Sequence, residues 1–217
     1  MSSFIIVPVK RLDMAKSRLS PLLSVNDRKQ FCLEMLKDVL TTIKMAKYIR
    51  QTVVTSRDKT ALQLAKDFDA LSFKESELGL NQAVLEVINW CIRKGALSAL
   101  ILPADIPLVT PLDLNRILSS REDSGVVTSP SRSGEGTNAL LLAPPNIIPT
   151  FYGPYSFRRH MEEAQKRGIK IRVLRSSRVA LDIDTVEDLT TFLSFKAKKT
   201  YSYCFLKEKG VRERLVS

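Results

Sequence analysis

Residues 4–9 read FIIVPV and are apolar at every position, which constrains the fold more than any other feature of the chain. A strand with one face in water alternates apolar and polar residues, whereas a strand without alternation is buried on both faces. Strands of that kind are typical of parallel sheets that carry helices on each side. The sequence therefore predicts an α/β protein in which residues 4–9 form a buried strand.

The segments that follow alternate between strand-like and helix-like patterns. Short apolar runs at 52–56, 70–74 and 99–105 predict further strands, and apolar residues at helical spacing between Ser24 and Ile43 predict a helix. The order of these segments favours βαβ units. We therefore expect a mainly parallel sheet in one domain.

The net charge of the chain restricts the kind of partner that it binds. Its 217 residues include 34 Lys and Arg against 23 Asp and Glu, a formal net charge of +11, and residues 196–217 alone hold seven cations and two acids. A basic balance favours nucleic acid or a small phosphorylated ligand. The sequence has no stacking surface of aromatic and basic residues and no recognition helix, so we expect no nucleic-acid partner.

The cysteines and the apolar runs indicate the cellular compartment of the protein. Cys32, Cys91 and Cys204 are odd in number and form no CxxC pair, which favours neither a zinc site nor a disulfide framework. No apolar run approaches the roughly 20 residues of a membrane helix, and the first apolar run is too short for a signal-peptide core. We expect a cytoplasmic protein without a membrane partner.

A basic loop without glycine follows the first strand directly. It carries Lys10, Arg11, Lys16 and Arg18, with Asp13 as its one acid. Ligands of open α/β sheets bind at the carboxyl ends of the strands, where this loop lies. Without glycines for backbone contacts to phosphate, side chains must supply the charge, Arg as a fork and Lys as a point charge. The loop predicts a polyphosphate site, with a solvated basic loop as the alternative.

Acidic residues follow two other predicted strands. Asp105 ends the run ALILPAD, and Asp182 and Asp184 lie two apart in LDIDT. Mg²⁺ prefers one or two carboxylates together with phosphate oxygens and water, so these three residues are candidate metal ligands. The alternative for Asp105 is a turn role. The alternative for Asp184 is to cap the helix that follows, a role for which Thr185 is also a candidate.

Three further segments are candidates for ligand contacts. Asn81 in GLNQA has an amide that can read a base edge or cap a helix. The segment YGPYSFRRH starts a helix beside Gly153, which with its cations and His160 is suited to an anion. His160 itself is more typical of packing or surface than of catalysis. The loop SGEGTN, with Thr137 as a donor, is suited to a second anion.

In this order and spacing, VPVKRLDMAKSRLS, GLN, LPADIPL, GTN, GPYSFRRH and DIDTVEDL resemble the motifs of the 2-phospho-L-lactate guanylyltransferases, over about residues 4–193. These enzymes make a precursor of the deazaflavin coenzyme factor 420, and related enzymes act on phosphoenolpyruvate. The resemblance implies a Rossmann-like, three-layer α/β/α fold with a mostly parallel mixed sheet, like that of nucleotide-diphospho-sugar transferases. It implies a reaction in which the phosphate of 2-phospho-L-lactate attacks the α-phosphorus of GTP and releases pyrophosphate.

The resemblance also implies roles for individual residues. Catalysis would rest on Lys16, Arg18 and Asp105. The nucleotide would contact Pro8, Lys10, Lys16, Arg18, Gly79 and Asn81. The phosphorylated hydroxy acid would contact Thr137, Gly153 and Ser156, and Mg²⁺ would be held by Asp105 with Asp182, Asp184 or both. Tyr155 stands where related sequences lead us to expect glycine, which predicts an acceptor pocket of different width.

The chain divides into a nucleotidyltransferase domain at 1–195 and a basic extension at 196–217. The alternating pattern TYSYCFL in the extension predicts an edge strand that packs across a homodimer.

Other functions remain open at the level of sequence. Phosphoenolpyruvate and phosphoglycerate are alternative acceptors in the same reaction. A molybdopterin-type guanylyltransferase differs by a glycine-rich first loop, and a glycosyltransferase by a DxD motif in mid-chain. A basic RNA-binding protein would also explain the net charge.

Overall fold

The computed structural model describes residues 3–76, 79–195 and 199–215. The strands are β1 (Ser3–Val9), β2 (Ile49–Ser56), β3 (Leu71–Lys74), β4 (Ala99–Ile101), β5 (Gly125–Pro130), β6 (Thr137–Ala143) and β7 (Ile171–Val173). The helices are α1 (Val25–Met45), α2 (Lys59–Asp67), α3 (Leu80–Arg93), α4 (Pro111–Ser119), α5 (Ser156–Lys166), α6 (Ser177–Ala180), α7 (Val186–Ser194), α8 (Tyr201–Glu208) and α9 (Val211–Arg214). Two short 3₁₀ turns, Leu12–Met14 and Ser17–Leu19, shape the loop after β1.

The strands form one mixed sheet in the order β3-β2-β1-β4-β6-β5-β7. β1 pairs in parallel with both β2 and β4, and β2 pairs in parallel with β3. β6 runs antiparallel to β4 and to β5, while β5 and β7 are parallel. The predicted mostly parallel mixed sheet is confirmed.

β1 is buried on both faces, as its sequence predicts. Ile5 and Val7 belong to a core cluster with residues of α1, α4 and α7, whereas Phe4 and Ile6 belong to a second cluster with residues of α3. Period-2 geometry sends alternate side chains to opposite faces of the sheet, so each face receives an apolar layer. Helices cover both faces, and the three-layer α/β/α architecture is confirmed.

The strand predicted at 99–105 is shorter in the structure. It forms β4, which ends at Ile101. The Leu102 amide still donates to the carbonyl of Ile6, at 2.9 Å, but Pro103 has no N–H group to continue the ladder. The chain therefore leaves the sheet just before Asp105.

The predicted edge strand at TYSYCFL is wrong, because these residues belong to α8. Thr200 is its N-cap, and Ser202, Phe205 and Leu206, at helical spacing, are buried. The ring of Phe205 stacks on that of Phe31 in α1, with 6.2 Å between ring centroids. Packing against α1 thus overrides the alternating pattern. Residues 196–198 and 216–217 of the predicted extension lie outside the described residues, and the domain boundary and the dimer arm stay predictions.

A buried carboxylate holds α8 on α1. The Asp38 carboxylate accepts hydrogen bonds from the Tyr201 amide at 2.6 Å, the Ser202 amide at 3.0 Å and the Ser202 hydroxyl at 2.5 Å. The first amides of a helix have no partner within the helix, so an acceptor from elsewhere replaces their lost water. The Asp38 carboxylate therefore joins α1 to α8 and also caps the N-terminus of α8.

In the part of the chain that the structure describes, no helix combines the length and the apolar character needed to span a bilayer.

We expect Asp38→Ala to destabilise the protein by about 1–3 kcal/mol, because three donors at the start of α8 lose their acceptor. Equilibrium unfolding in urea measures this change. The control is Asp67→Ala, which removes an exposed carboxylate bonded to Gln63 in α2 and should change stability by less than about 0.5 kcal/mol. Equal effects of the two substitutions would contradict the role given to Asp38.

Candidate active site

The sheet topology brings three segments to one edge. Since β1 and β4 are parallel neighbours, the loop after Val9 and the segment that holds Asp105 leave the sheet at the same end. β6 is antiparallel to β4, so its first residue, Thr137, starts at that end as well. This is the edge at which α/β sheets bind ligands.

A cavity of about 350 Å³ lies at this edge. Of the twelve residues predicted from sequence, nine line it: Pro8, Lys10, Lys16, Asp105, Thr137, Gly153, Ser156, Asp182 and Asp184. The structure does not place Arg18, Gly79 or Asn81 in its lining. The predicted cations and carboxylates therefore share one cleft.

Lys16 is the charged centre of the cleft. Its Nζ donates to Asp105 Oδ2 and to Asp184 Oδ1, both at 2.6 Å, and its side chain is only 7% exposed. Burial alone would lower the pKa of the ammonium group, but the two carboxylates outweigh burial and hold the pKa above its ordinary value. Lys16 is therefore a fixed positive charge at neutral pH.

The backbone of Lys16 has a left-handed conformation, with φ of 54° and ψ of 38°. Such a conformation is uncommon for a residue with a side chain and persists where surrounding contacts enforce it. The two carboxylates on Nζ are such contacts. The loop is thus held in a costly conformation that directs one ammonium group into the cleft.

Asp184 is ionised in this setting. Burial acts to raise its pKa, but Lys16, Lys10 and Arg18 outweigh burial and hold the pKa below its ordinary value. Of the two residues expected to cap α7, Thr185 is the N-cap and forms a capping box with Asp188, so Asp184 does not cap the helix. Asp184 is free of helix capping and available to the cleft.

Asp182 points to a different partner, which changes the predicted metal site. Its Oδ1 accepts from the Asn138 side chain at 3.0 Å, and burial raises its pKa, with Asn138 acting in the opposite direction and Asp105 adding to the rise. Across residues 3–76, 79–195 and 199–215, no group of three or more His, Cys, Asp or Glu is placed to hold a metal ion. The three carboxylates predicted as ligands therefore do not form one metal cluster in this structure.

Asp105 and Asp184 suit a cation as a pair. Both bond the same ammonium group, each at 2.6 Å, so their oxygens lie close to one positively charged point. Mg²⁺ needs only one or two carboxylates when phosphate and water complete its six oxygens. The donor set of this cleft fits a metal ion that arrives with a phosphorylated ligand.

Arg18 lies on the surface, within the second 3₁₀ turn, and outside the cavity lining. Its charge still reaches Asp184, whose pKa it helps to lower. The structure thus places Arg18 at the rim rather than beside Lys16.

Asn81 contacts the backbone of Tyr152 and is not the N-cap of α3, so its predicted cap role is wrong, while its contact with a base stays a prediction. Its Nδ2 donates to the carbonyl of Tyr152 at 2.9 Å, and its Oδ1 accepts from the Tyr152 amide at 2.6 Å. Gly79, with φ of 106°, is the N-cap of α3 and lines a second cavity next to Pro8 and Lys10. Asn81 therefore fixes the backbone beside Gly153, and Gly79 borders the neighbouring cavity.

The start of α5 contributes to the cavity lining. Gly153 and Ser156 line the cavity with Thr137, but the predicted cations do not, since Arg158 bonds Glu162 and Arg159 lies over the ring of Phe151. This part of the lining therefore offers hydroxyl and backbone groups rather than charge.

Tyr155 is the N-cap of α5, and its φ of 55° explains why glycine suits this position. Its side chain is 59% exposed and does not line the cavity. The structure gives no support to a pocket width set by Tyr155.

Asn138 is a site residue that the sequence analysis missed. It is buried in β6, and its Nδ2 donates to the carbonyls of Val179 and Ala180 as well as to Asp182. An amide in the apolar strand TNALLLA is the signal that could have identified it, since a buried polar group needs partners.

Comparisons with known proteins identify the family of this chain. Residues 3–214 match a family model described as guanylyl transferase CofC like. The chain is 40% identical over 190 residues to the phosphoenolpyruvate guanylyltransferase of Rubrobacter xylanophilus, covering 87% of this chain and 92% of the relative. It is 36% identical over 208 residues to the 2-phospho-L-lactate guanylyltransferase of Methanocaldococcus vulcanius, covering 95% and 91%.

A solved structure from Desulfovibrio desulfuricans G20, a provisionally named nucleotide-diphospho-sugar transferase, superposes with a TM-score of 0.80. It is 14% identical and covers 98% of both chains. At this identity the likeness concerns the fold alone, and it agrees with the predicted fold class.

We expect Asn81→Ala to destabilise the protein by about 1–3 kcal/mol, because both polar groups of the partly buried Tyr152 backbone lose their partner. Urea unfolding tests this, with the neighbouring exposed Gln82→Ala as the control. A variant of unchanged stability with an altered choice of nucleotide base would instead restore the base-reading role.

Proposed function

Because the chain belongs to the CofC-like family of guanylyl transferases, we propose that it joins GTP to 2-phospho-L-lactate and releases pyrophosphate. This reaction would supply a precursor of the deazaflavin coenzyme factor 420. The chain is a nucleotidyltransferase by family, and the proposal concerns its two substrates.

The observation that carries the proposal is the position of Lys16 between Asp105 and Asp184 at the carboxyl end of β1. Transfer of a nucleotidyl group places negative charge on pyrophosphate as it leaves. A fixed ammonium group in a partly buried cleft stabilises such charge without reorganising at the moment of reaction. Lys10 and Arg18 extend the positive potential toward the rim.

The acceptor phosphate acts as the nucleophile. One of its oxygens forms a bond to the α-phosphorus of GTP, and the bond from that phosphorus to the bridging oxygen of pyrophosphate breaks. The acceptor phosphate carries negative charge at neutral pH, so no protein base has to remove a proton. The work of the protein is positioning and charge neutralisation.

The cavity lining contains two kinds of group that suit the two substrates. Lys10 and Lys16 supply charge, and Thr137, Gly153 and Ser156 supply hydroxyl and backbone groups. The cationic groups are suited to the triphosphate, and the hydroxyl and backbone groups are suited to the phosphorylated acid. The second cavity, bordered by Gly79, Pro8 and Lys10, is our candidate for the nucleoside.

Mg²⁺ would be held by Asp105 and Asp184, whose carboxylates both contact the Lys16 ammonium group. Asp182 would keep its hydrogen bond from Asn138. When bound, the ion would neutralise phosphate charge as a Lewis acid. Lys16 would then exchange part of its contact with the carboxylates for contact with phosphate oxygens.

Phosphoenolpyruvate is the second candidate acceptor, because the relative of 40% identity carries that name. The match to the phospholactate enzyme of Methanocaldococcus vulcanius is longer, at 208 against 190 residues, and this length favours 2-phospho-L-lactate. Phosphoglycerate offers the same two anionic groups and is the third acid to compare.

We also propose that the protein works in the cytoplasm as a homodimer without a nucleic-acid partner. The Lys16 cleft is suited to a small phosphorylated substrate, which would account for part of the net positive charge.

Pyrophosphate release measured for four nucleoside triphosphates against the three acids tests the proposal. We expect release with GTP and 2-phospho-L-lactate in the presence of Mg²⁺, and at least roughly tenfold less with the other acids and without the metal. Asp105→Asn should abolish release in a folded protein, whereas Asp69→Asn, on the surface, should not. Release with no combination would contradict the function, and preference for phosphoenolpyruvate would replace the acceptor.

A further inference from the structure

His160 is completely buried beside the cavity, and both of its ring nitrogens are bonded. Its Nδ1 lies 3.0 Å from Thr137 Oγ1, and its Nε2 lies 2.9 Å from the backbone nitrogen of Phe151. These two contacts approach the ring from opposite sides. They determine where the proton of the ring must be.

The contact with Phe151 fixes the tautomer. A backbone amide can only donate, so Nε2 must accept and carry no proton. A neutral imidazole then holds its proton on Nδ1, which donates to Thr137 Oγ1. Burial lowers the pKa of His160 to about 4, with a smaller effect from the charge of Arg159, so the ring is neutral at pH 7.

The Thr137 hydroxyl receives a second hydrogen bond. Ser156 Oγ donates to Thr137 Oγ1 at 3.3 Å, in addition to the bond from His160. A hydroxyl oxygen has two acceptor positions and one hydrogen to donate. With both acceptor positions used, the hydrogen of Thr137 is left for a partner outside this cluster.

The cavity is the place where such a partner can lie. Thr137 and Ser156 line it together with Gly153, and Lys16 belongs to the same lining. A donor there suits the oxygen of an anion, because charge-assisted hydrogen bonds are the stronger ones.

We propose that His160 is a positioning residue that, by donating from Nδ1, fixes the Thr137 hydroxyl as a donor toward an anionic group of the acceptor acid. This inference deepens the proposed function and rests on it. It also excludes His160 as a general base, since its unprotonated nitrogen is occupied by the Phe151 amide.

His160 is the single histidine of the chain, so nitrogen NMR of the histidine-labelled protein reads its ring without ambiguity. We expect a proton on Nδ1 and none on Nε2, with no change from about pH 5.5 to about pH 8. A proton on Nε2, or a charged ring at neutral pH, would overturn the proposal. This measurement needs no substitution and no activity.

Two substitutions separate positioning of Thr137 from support of Phe151. An Asn side chain places its amide group near the Nδ1 position and can still donate to Thr137. A Gln side chain reaches the Nε2 position and can still accept from Phe151. We expect His160→Gln to raise the KM for the acid roughly tenfold more than His160→Asn does, because only Gln loses the bond that orients the hydroxyl.

The KM for GTP should change little in either variant. The reverse order for the acid, or equal effects on both substrates, would show that His160 serves the backbone of Phe151 alone and would overturn the proposal. Melting temperatures of both variants are compared first, and the NMR result decides the matter if either is unfolded.

Thr137→Val completes the test, because it removes the hydroxyl. In that background His160→Gln and His160→Asn should have the same KM for the acid, since the coupling between positions 160 and 137 is lost. A difference that persists would contradict the mechanism. Failure of the proposed function is recognised separately, since the unsubstituted enzyme would then release no pyrophosphate with any acid.

Discussion

The ammonium group of Lys16, bonded to Asp105 and Asp184, is the interaction on which the cleft depends. Isolated charges are costly to remove from water, so each of the three groups tolerates partial burial only because the others are present. The Ile183 amide also donates to the carbonyl of Asp105, at 3.0 Å, and joins the two acidic segments. Three distant stretches of chain are therefore held at one point, and the loop keeps its left-handed residue.

Two side-chain amides, the partly buried Asn81 and the buried Asn138, hold other parts of the cleft in place. Asn81 bonds both polar groups of the Tyr152 backbone, and Asn138 joins β6 to the segment before Asp182. Each side chain connects residues far apart in the chain through contacts that burial makes costly to break. The cavity walls are thus set before a substrate arrives, and a nucleotidyl transfer that requires no protein base relies on such preorganisation.

Much of the fold and part of the site follow from local sequence. FIIVPV predicted a strand buried on both faces, and the position of Asp105 after an apolar run predicted its place at the ligand edge. Long-range partners were not predictable, because the contacts of Asn81 and Asp182 reach 71 and 44 residues along the chain. The prediction of a strand at TYSYCFL was wrong for the same reason. The contacts of Phe205 with Phe31 and of Ser202 with Asp38 stabilise a helix there, and both partners are distant in the chain.

The turnover of Lys16→Ala measures the central claim most directly. With saturating GTP and acceptor acid, we expect kcat to fall by roughly 100-fold or more, with a smaller change in the KM for GTP, because the fixed charge acts mainly on the leaving pyrophosphate. Lys44→Ala, which removes an exposed lysine paired with Asp69, should keep the original kcat. A Lys16→Ala enzyme that is folded and turns over at the original rate would contradict the account.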